Sequence, residues 1–266
     1  MLTVAIAGLG AVGLPLARAL DDGIDGLALG AVSVRNRARA ERALQTFRAP
    51  PEIVPLDRLA HHDIVVEAVP AAIFEQVAVP AIAAGRLFVP VSAGALLSRH
   101  HLVRRARQTG ARIIVPTGAL LGFDAIRAAA EGPVDSITLE SRKPPAALVG
   151  APYIERLGLD LDAVTEPMRL MSGNALEAAQ GFPANLNVAA ALALAGIGPV
   201  RTRVEVWVDP TITRNTHTIR VESAAARMTM TIENLPSQEN PRTGQITAHS
   251  VIACLRGLVQ PLKIGS

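Results

Sequence analysis

The stretch Gly8-Leu9-Gly10-Ala11-Val12-Gly13 constrains this chain more than any other. It follows an apolar run, Val4-Ala5-Ile6-Ala7, and leads into an apolar-periodic run that ends near Leu20. The order is strand, glycine turn, helix. In such a turn the first glycine permits the tight bend. The second removes the side chain that would block a pyrophosphate, and the third lets helix and strand pack closely. The backbone N–H groups of the helix start, at Ala11, Val12 and Gly13, then face the phosphates with a partial positive charge behind them. Read alone, the turn also fits a glycine-rich bend in an empty half-domain. Its place at the head of an alternating pattern favours a dinucleotide.

That alternation runs to about residue 116. Strand-like runs at Thr3–Ala7, Leu27–Val34, Asp63–Glu67, Arg86–Val91 and Arg112–Val115 are separated by helical runs at Val12–Leu20, Arg37–Phe47, Ala71–Ala84 and Leu96–Gln108. Near-continuous apolar strands are expected when both faces of a parallel sheet are covered. The pattern predicts an α/β, Rossmann-type doubly wound parallel sheet. An acidic residue about 20 positions past the glycine turn would hold the ribose hydroxyls of NAD. None stands there; Ser33, Arg35, Asn36 and Arg37 do, a set suited to a 2′-phosphate, so NADP or NAD is expected as cofactor. The plainer reading leaves both arginines in solvent and the ribose on Asn36. Two further loops fall at strand ends. Ala68 and Pro70 lie in one, and Ser92, Ala93 and Gly94 in the other, where small residues would let a nicotinamide ribose approach backbone.

Beyond Val115 the texture changes. Pro116–Gly122 is a loop of small residues, and period-two strands follow at Ser136–Arg142, Arg203–Val208, Thr216–Val221 and Arg227–Glu233. Helical runs at Met171–Gln180 and Asn185–Ala195 lie among them, making an α+β domain with a partly antiparallel sheet. Asn240 as N-cap and Pro241 as first helical residue open a final helix that returns to the first domain. The expected organisation is a dinucleotide domain, 1–116 with 240–266, and an inserted substrate domain, 117–239.

Composition excludes other classes. Among 26 cationic residues only Lys143 and Lys263 are lysines, and 23 acidic residues are interspersed among the arginines. With few aromatics for base stacking, nucleic acid is not an expected partner. Cys254 stands alone, so neither an internal disulfide nor a thiolate metal site is expected, and a reducing cytoplasm fits. No apolar stretch is long enough to span a bilayer, and the first residues do not read as a signal peptide.

A dinucleotide half followed by an α+β domain points to a dehydrogenase with its site between the two. The protein must then manage a proton, and the candidates are six histidines. His61-His62 and His100-His101 are adjacent pairs whose members point apart, so no metal site is expected; His249 lies in the last helix. His217 shares a strand face with Ile219 and Val221 by alternation. An imidazole at the edge of an apolar sheet face suits acid–base work, and equally a hydrogen-bonded core residue.

Four stretches carry a resemblance. They are Pro116-Thr117-Gly118-Ala119-Leu120-Leu121-Gly122-Phe123-Asp124-Ala125; Phe182-Pro183-Ala184-Asn185-Leu186-Asn187-Val188-Ala189-Ala190; Asp209-Pro210 through Arg214-Asn215-Thr216-His217; and Glu233-Asn234 through Glu239-Asn240-Pro241-Arg242-Thr243. With the glycine turn they span nearly the whole chain, and in that order it resembles the L-aspartate dehydrogenase family. The resemblance implies reversible oxidative deamination of L-aspartate to iminosuccinate, and so to oxaloacetate and ammonia, with NAD(P) as hydride acceptor. It implies an acid–base role for His217. Lys143, Thr117, Asn187, Arg214 and Asn215 become candidates for the substrate, and Ala119 and Asn185 for the cofactor. A homodimer and a link to NAD biosynthesis are further expectations by analogy. The alternatives are a reductase of another imino or oxo acid and a nucleotide-binding redox sensor without turnover.

Overall fold

The computed structural model describes residues 1–182, 187–237 and 243–265. The chain forms two compact units, Met1–Gly118 with Thr247–Ile264, and Ala119–Ile246 with the last two residues.

The first unit is built on six parallel strands: β1 (Leu2–Ala7), β2 (Leu27–Ser33), β3 (Glu52–Ile53), β4 (Ile64–Glu67), β5 (Leu87–Pro90) and β6 (Arg112–Ile113). Their order across the sheet is β3-β2-β1-β4-β5-β6, so direction of winding reverses between β1 and β4. Helices α1 (Gly13–Asp22), α2 (Arg37–Leu44), α3 (Phe74–Ala83), α4 (Ala93–Leu97) and α5 (His100–Thr109) connect them. Alternation along β1 shows why both faces are covered. Val4 and Ile6 pack with Leu16 and Leu20 of α1, whereas Ala5 and Ala7 pack with Phe74, Val77 and Ile82 of α3 and Leu102 of α5. The predicted helix Leu96–Gln108 is two helices, broken after Leu97. The two-residue edge strand β3 had no signal in the sequence.

The second unit begins with α6 (Phe123–Ala130) and β7 (Val134–Lys143), then α7 (Pro152–Leu157), β8 (Met168–Asn174), α8 (Ala175–Gly181) and α9 (Asn187–Ala195). It continues with β9 (Thr202–Val208), β10 (Asn215–Ser223) and β11 (Arg227–Asn234). The sheet order is β11-β10-β7-β9-β8, with only β7 and β9 parallel. Ile137, Leu139, Val204, Val206, Ile219 and Val221 line its fully buried face. Residues Met171–Asn174, expected in a helix, belong to β8 and pair with β9. The helix starts only at Ala175 because Asn174 and Glu177 form a reciprocal capping box there.

The final helix, α10 (Gln245–Val259), returns to the first unit, where Ala248, Val251 and Leu255 join the cluster around β1 and α1. The expected cap at Asn240 and Pro241 lies outside the described residues.

Candidate active site

The glycine turn follows β1, on the side of the sheet reversal where open α/β sheets bind ligands. Each glycine has a separate reason to lack a side chain. Gly8 has φ +93°, and a Cβ on it would come within 2.5 Å of the Ala68 carbonyl oxygen. A Cβ on Gly13 would sit 1.8 Å from the Gly8 carbonyl oxygen. A Cβ on Gly10 would meet no protein atom within 4 Å. Gly8 and Gly13 therefore hold the backbone together, while Gly10 keeps a space clear. No side chain caps α1 at Val12; the Leu14 amide already donates to the Gly10 carbonyl at 3.0 Å and Pro15 has no N–H, so the amides before Leu14 are the ones that could meet a ligand. This cradle fits a dinucleotide.

At the end of β2, Ser33 is buried and Arg35 is exposed. The Asn36 side chain accepts a hydrogen bond from the Arg39 amide at 3.0 Å and so caps α2. Arg37 pairs with Glu41 at 2.8 Å. The loops holding Ala68, Pro70, Ser92, Ala93 and Gly94 are tied together by a residue the sequence reading gave no role, Glu67. Its carboxylate is fully buried and accepts from the amides of Val69 (2.9 Å) and Ser92 (3.0 Å) and from the Ser92 hydroxyl (3.0 Å). Burial pushes its pKa up, against the opposing pull of those donors. The Ser92 hydroxyl, expected near the cofactor, is thus engaged by Glu67.

The second unit gathers a different set at one end of its sheet. His217 stands directly across from Ser141 on β7 and from Ile232 on β11. Asn215 stands across from Asn234. Alternation places Ser141, Lys143, Asn215, His217 and Asn234 on the same face as the apolar core. Ser141, Lys143, His217 and Asn234 are no more than 3 % exposed. Four buried polar atoms in this row have no hydrogen-bond partner among the described residues: Ser141 Oγ, Asn215 Oδ1, His217 Nδ1 and Asn234 Oδ1. Buried polar atoms are usually paired, and leaving one unpaired costs about 1–3 kcal/mol.

Charge sharpens the arrangement. Among the described residues, the Lys143 ammonium has no carboxylate partner; burial pushes its pKa down to about 8. Burial, with the Lys143 charge adding to it, pushes the His217 imidazole down to about 3. The imidazole is therefore neutral at ordinary pH and the lysine largely cationic. The opposite sheet face is occupied by ion pairs, with Glu140 holding Arg142 (2.7 Å) and Arg220 (3.2 Å).

The other predicted residues distribute as follows. Arg214 is exposed and lies 3.9 Å from Glu233. Thr117 is half-buried in the first unit. Asn187 opens α9 and is half-buried. The Ala119 carbonyl accepts from Asn234 Nδ2 at 3.0 Å. Asn185 lies outside the described residues. Ser141 and Asn234 carried no role in the sequence reading, because strand register, not composition, puts them beside His217.

Comparisons with known proteins agree with both halves. Residues 124–258 match the family profile described as aspartate dehydrogenase, C-terminal, and residues 8–116 match the homoserine dehydrogenase NAD binding domain. An L-aspartate dehydrogenase of Bradyrhizobium diazoefficiens is 52% identical over 266 residues, covering 100% of this chain and 94% of that one. One from Methanocella arvoryzae is 40% identical, with 100% of both chains covered. Among solved structures, the aspartate dehydrogenase of Thermotoga maritima superimposes with TM-score 0.75 at 24% identity over 100% of both chains. A homoserine dehydrogenase of Thiobacillus denitrificans gives 0.64 at 14% identity, covering 97% of this chain and 73% of that one. At such identities the structural likeness speaks for the fold alone.

Proposed function

The chain belongs to the aspartate dehydrogenase family, and from that premise we propose how its residues carry the reaction. It is an NAD(P)-dependent oxidoreductase that converts L-aspartate to iminosuccinate, which water turns into oxaloacetate and ammonia. The bound cofactor supplies the acceptor for the hydride leaving the α-carbon. Gly8, Gly10, Ala11, Val12 and Gly13 would hold its pyrophosphate, and Arg35, exposed and without an ion-pair partner among the described residues, would favour a 2′-phosphate on the adenosine ribose. The loops joined by Glu67 support its other end.

The neutral imidazole of His217 takes a proton from the substrate's α-ammonium, freeing the nitrogen lone pair to form the C=N bond as hydride leaves. Once that proton has passed to solvent, the imidazole takes one from the water that adds to the iminium carbon and hands it to the nitrogen; the C–N bond then breaks to release ammonia, and loss of the hydroxyl proton leaves the carbonyl of oxaloacetate. Lys143 binds one substrate carboxylate by a charge-assisted contact. That carboxylate also offsets the lysine charge, which adds to burial in depressing His217, and so moves the imidazole toward its working range. The second carboxylate falls to Thr117, Asn187 or Arg214, the last of which would have to leave Glu233.

The observation that carries this reading is a buried lysine without a carboxylate partner among the described residues, next to a buried imidazole whose Nδ1 has no partner among them either. Incubating the protein with L-aspartate and NAD or NADP should produce the absorbance of the reduced nicotinamide. No turnover with either cofactor, and none from oxaloacetate with ammonia, overturns it.

Cys254, as the sole cysteine, supports a cytoplasmic location. No helix among the described residues is long and apolar enough to cross a membrane. The half-exposed sheet face around Trp207 and Arg220 supports a homodimer, which light scattering on the intact protein tests.

A further inference from the structure

We propose that the amide oxygens of Asn215 and Asn234, together with the His217 imidazole, form the receptor for the substrate's α-ammonium group and for the ammonia it becomes. This deepens the reading of His217 and Lys143 as the site of aspartate oxidation, and rests on it.

The argument is one of hydrogen-bond polarity. Aspartate presents two carboxylates, which accept, and one ammonium, which donates three hydrogens. The orphaned amide atoms in this row are oxygens, and they accept. A carboxylate placed on them would meet acceptor against acceptor; an ammonium would satisfy them. Lys143, on the same face, has the opposite character and suits a carboxylate. The two kinds of receptor are thus separated along the strand ends, with His217 between Ser141 and Ile232 on the neighbouring strands.

The orientation of Asn234 is set by its surroundings. Its Nδ2 donates to the Ala119 carbonyl at 3.0 Å, which leaves Oδ1 as the atom without a partner. Gly244 packs on this side chain, and a Cβ there would close to 3.1 Å of Oδ1. A bare glycine keeps that oxygen uncrowded. Asn215 is its direct partner across the β10–β11 pair, so the two Cβ atoms stand about 4.5–5.5 Å apart, near enough for both amides to reach one nitrogen. Two buried acceptors left unsatisfied are costly in the free protein, and the cost is recovered when a donor-rich cation enters.

The consequence is selectivity for an amine over the same dicarboxylate without one. The test is calorimetric titration of the intact protein, saturated with reduced cofactor, with L-aspartate and with succinate. Succinate carries both carboxylates and no amine. Wild-type protein should bind aspartate at least tenfold more tightly. Asn215→Ala and Asn234→Ala should each weaken aspartate about tenfold, the loss of one hydrogen bond to a charged group, and leave succinate within about twofold. The Asn215 side chain makes no hydrogen bond among the described residues, so its variant remains informative if loss of the Ala119 contact perturbs the other. Equal loss for both ligands, or an unchanged aspartate affinity in both variants, overturns the proposal. Selective loss in binding from a protein that never oxidises aspartate would sink the reaction assigned above and leave the ammonium receptor standing.

Discussion

Replacing Lys143 with methionine should make the unliganded protein more stable while removing its function. The ammonium is 3 % exposed and has no counter-ion among the described residues. Its pKa falls from the ordinary 10.5 to about 8 because burial disfavours the charge. At about 1.4 kcal/mol per tenfold change in proton affinity, that drop means the folded state tolerates the charge at a cost of roughly 3 kcal/mol. The unfolded chain keeps the proton up to about 10.5 and the folded chain only to about 8. Stability should therefore rise with pH across that interval and carry the full penalty below it. Methionine fills similar space without charge, so Lys143→Met should gain up to about 3 kcal/mol at pH 7 and converge with wild type near pH 10.5. Urea titrations followed by Trp207 fluorescence read this directly, because the single tryptophan lies on β9 of the same sheet. Aspartate should cease to protect the variant. A variant less stable than wild type at pH 7, or an advantage that does not shrink as pH rises, would refute the reasoning.

Other outcomes follow from the same geometry. His217→Ala should lower kcat by about 10²–10⁴-fold with cofactor affinity unchanged, as stopped-flow binding and steady-state rates will show. Because the folded imidazole titrates near 3 and the free one near 6.5, protonation favours the unfolded chain between those values, so wild-type stability should decline as pH falls from 6.5 and His217→Ala should show a shallower decline in acid-denaturation curves. Gly10→Val should leave the melting temperature unchanged and weaken NAD(P) at least tenfold, whereas Gly13→Ala, with its Cβ 1.8 Å from the Gly8 oxygen, should disrupt the fold; melting curves with and without cofactor separate the two. Arg35→Ala should reduce the preference for NADP over NAD by about tenfold, from loss of one charge-assisted contact, measured as the ratio of kcat/KM values.

The alternation of apolar runs and the glycine turn determined the first unit by themselves. Parallel strands buried on both faces leave a signature that needs no register, and the steric reason for Gly13 is local, the Gly8 carbonyl, whereas that for Gly8 is the Ala68 carbonyl after β4. The motif order around Asn215, His217 and Asn234 identified the family. Sequence marked His217 as a candidate but could not distinguish a core histidine from one beside an unpaired cation. Tertiary structure decided that. Pairing of β10 with the distant β7 sets Ser141 across from His217 and brings Lys143 to the same buried end, while the β10–β11 hairpin sets Asn234 across from Asn215. The Met171–Asn174 segment departs from its helical expectation for a related reason. Its local preference is ambiguous, and pairing with β9 makes it a strand. Burial, charge and unsatisfied hydrogen bonds are properties of neighbours, and neighbours across a sheet are fixed by register rather than by any one segment of the chain.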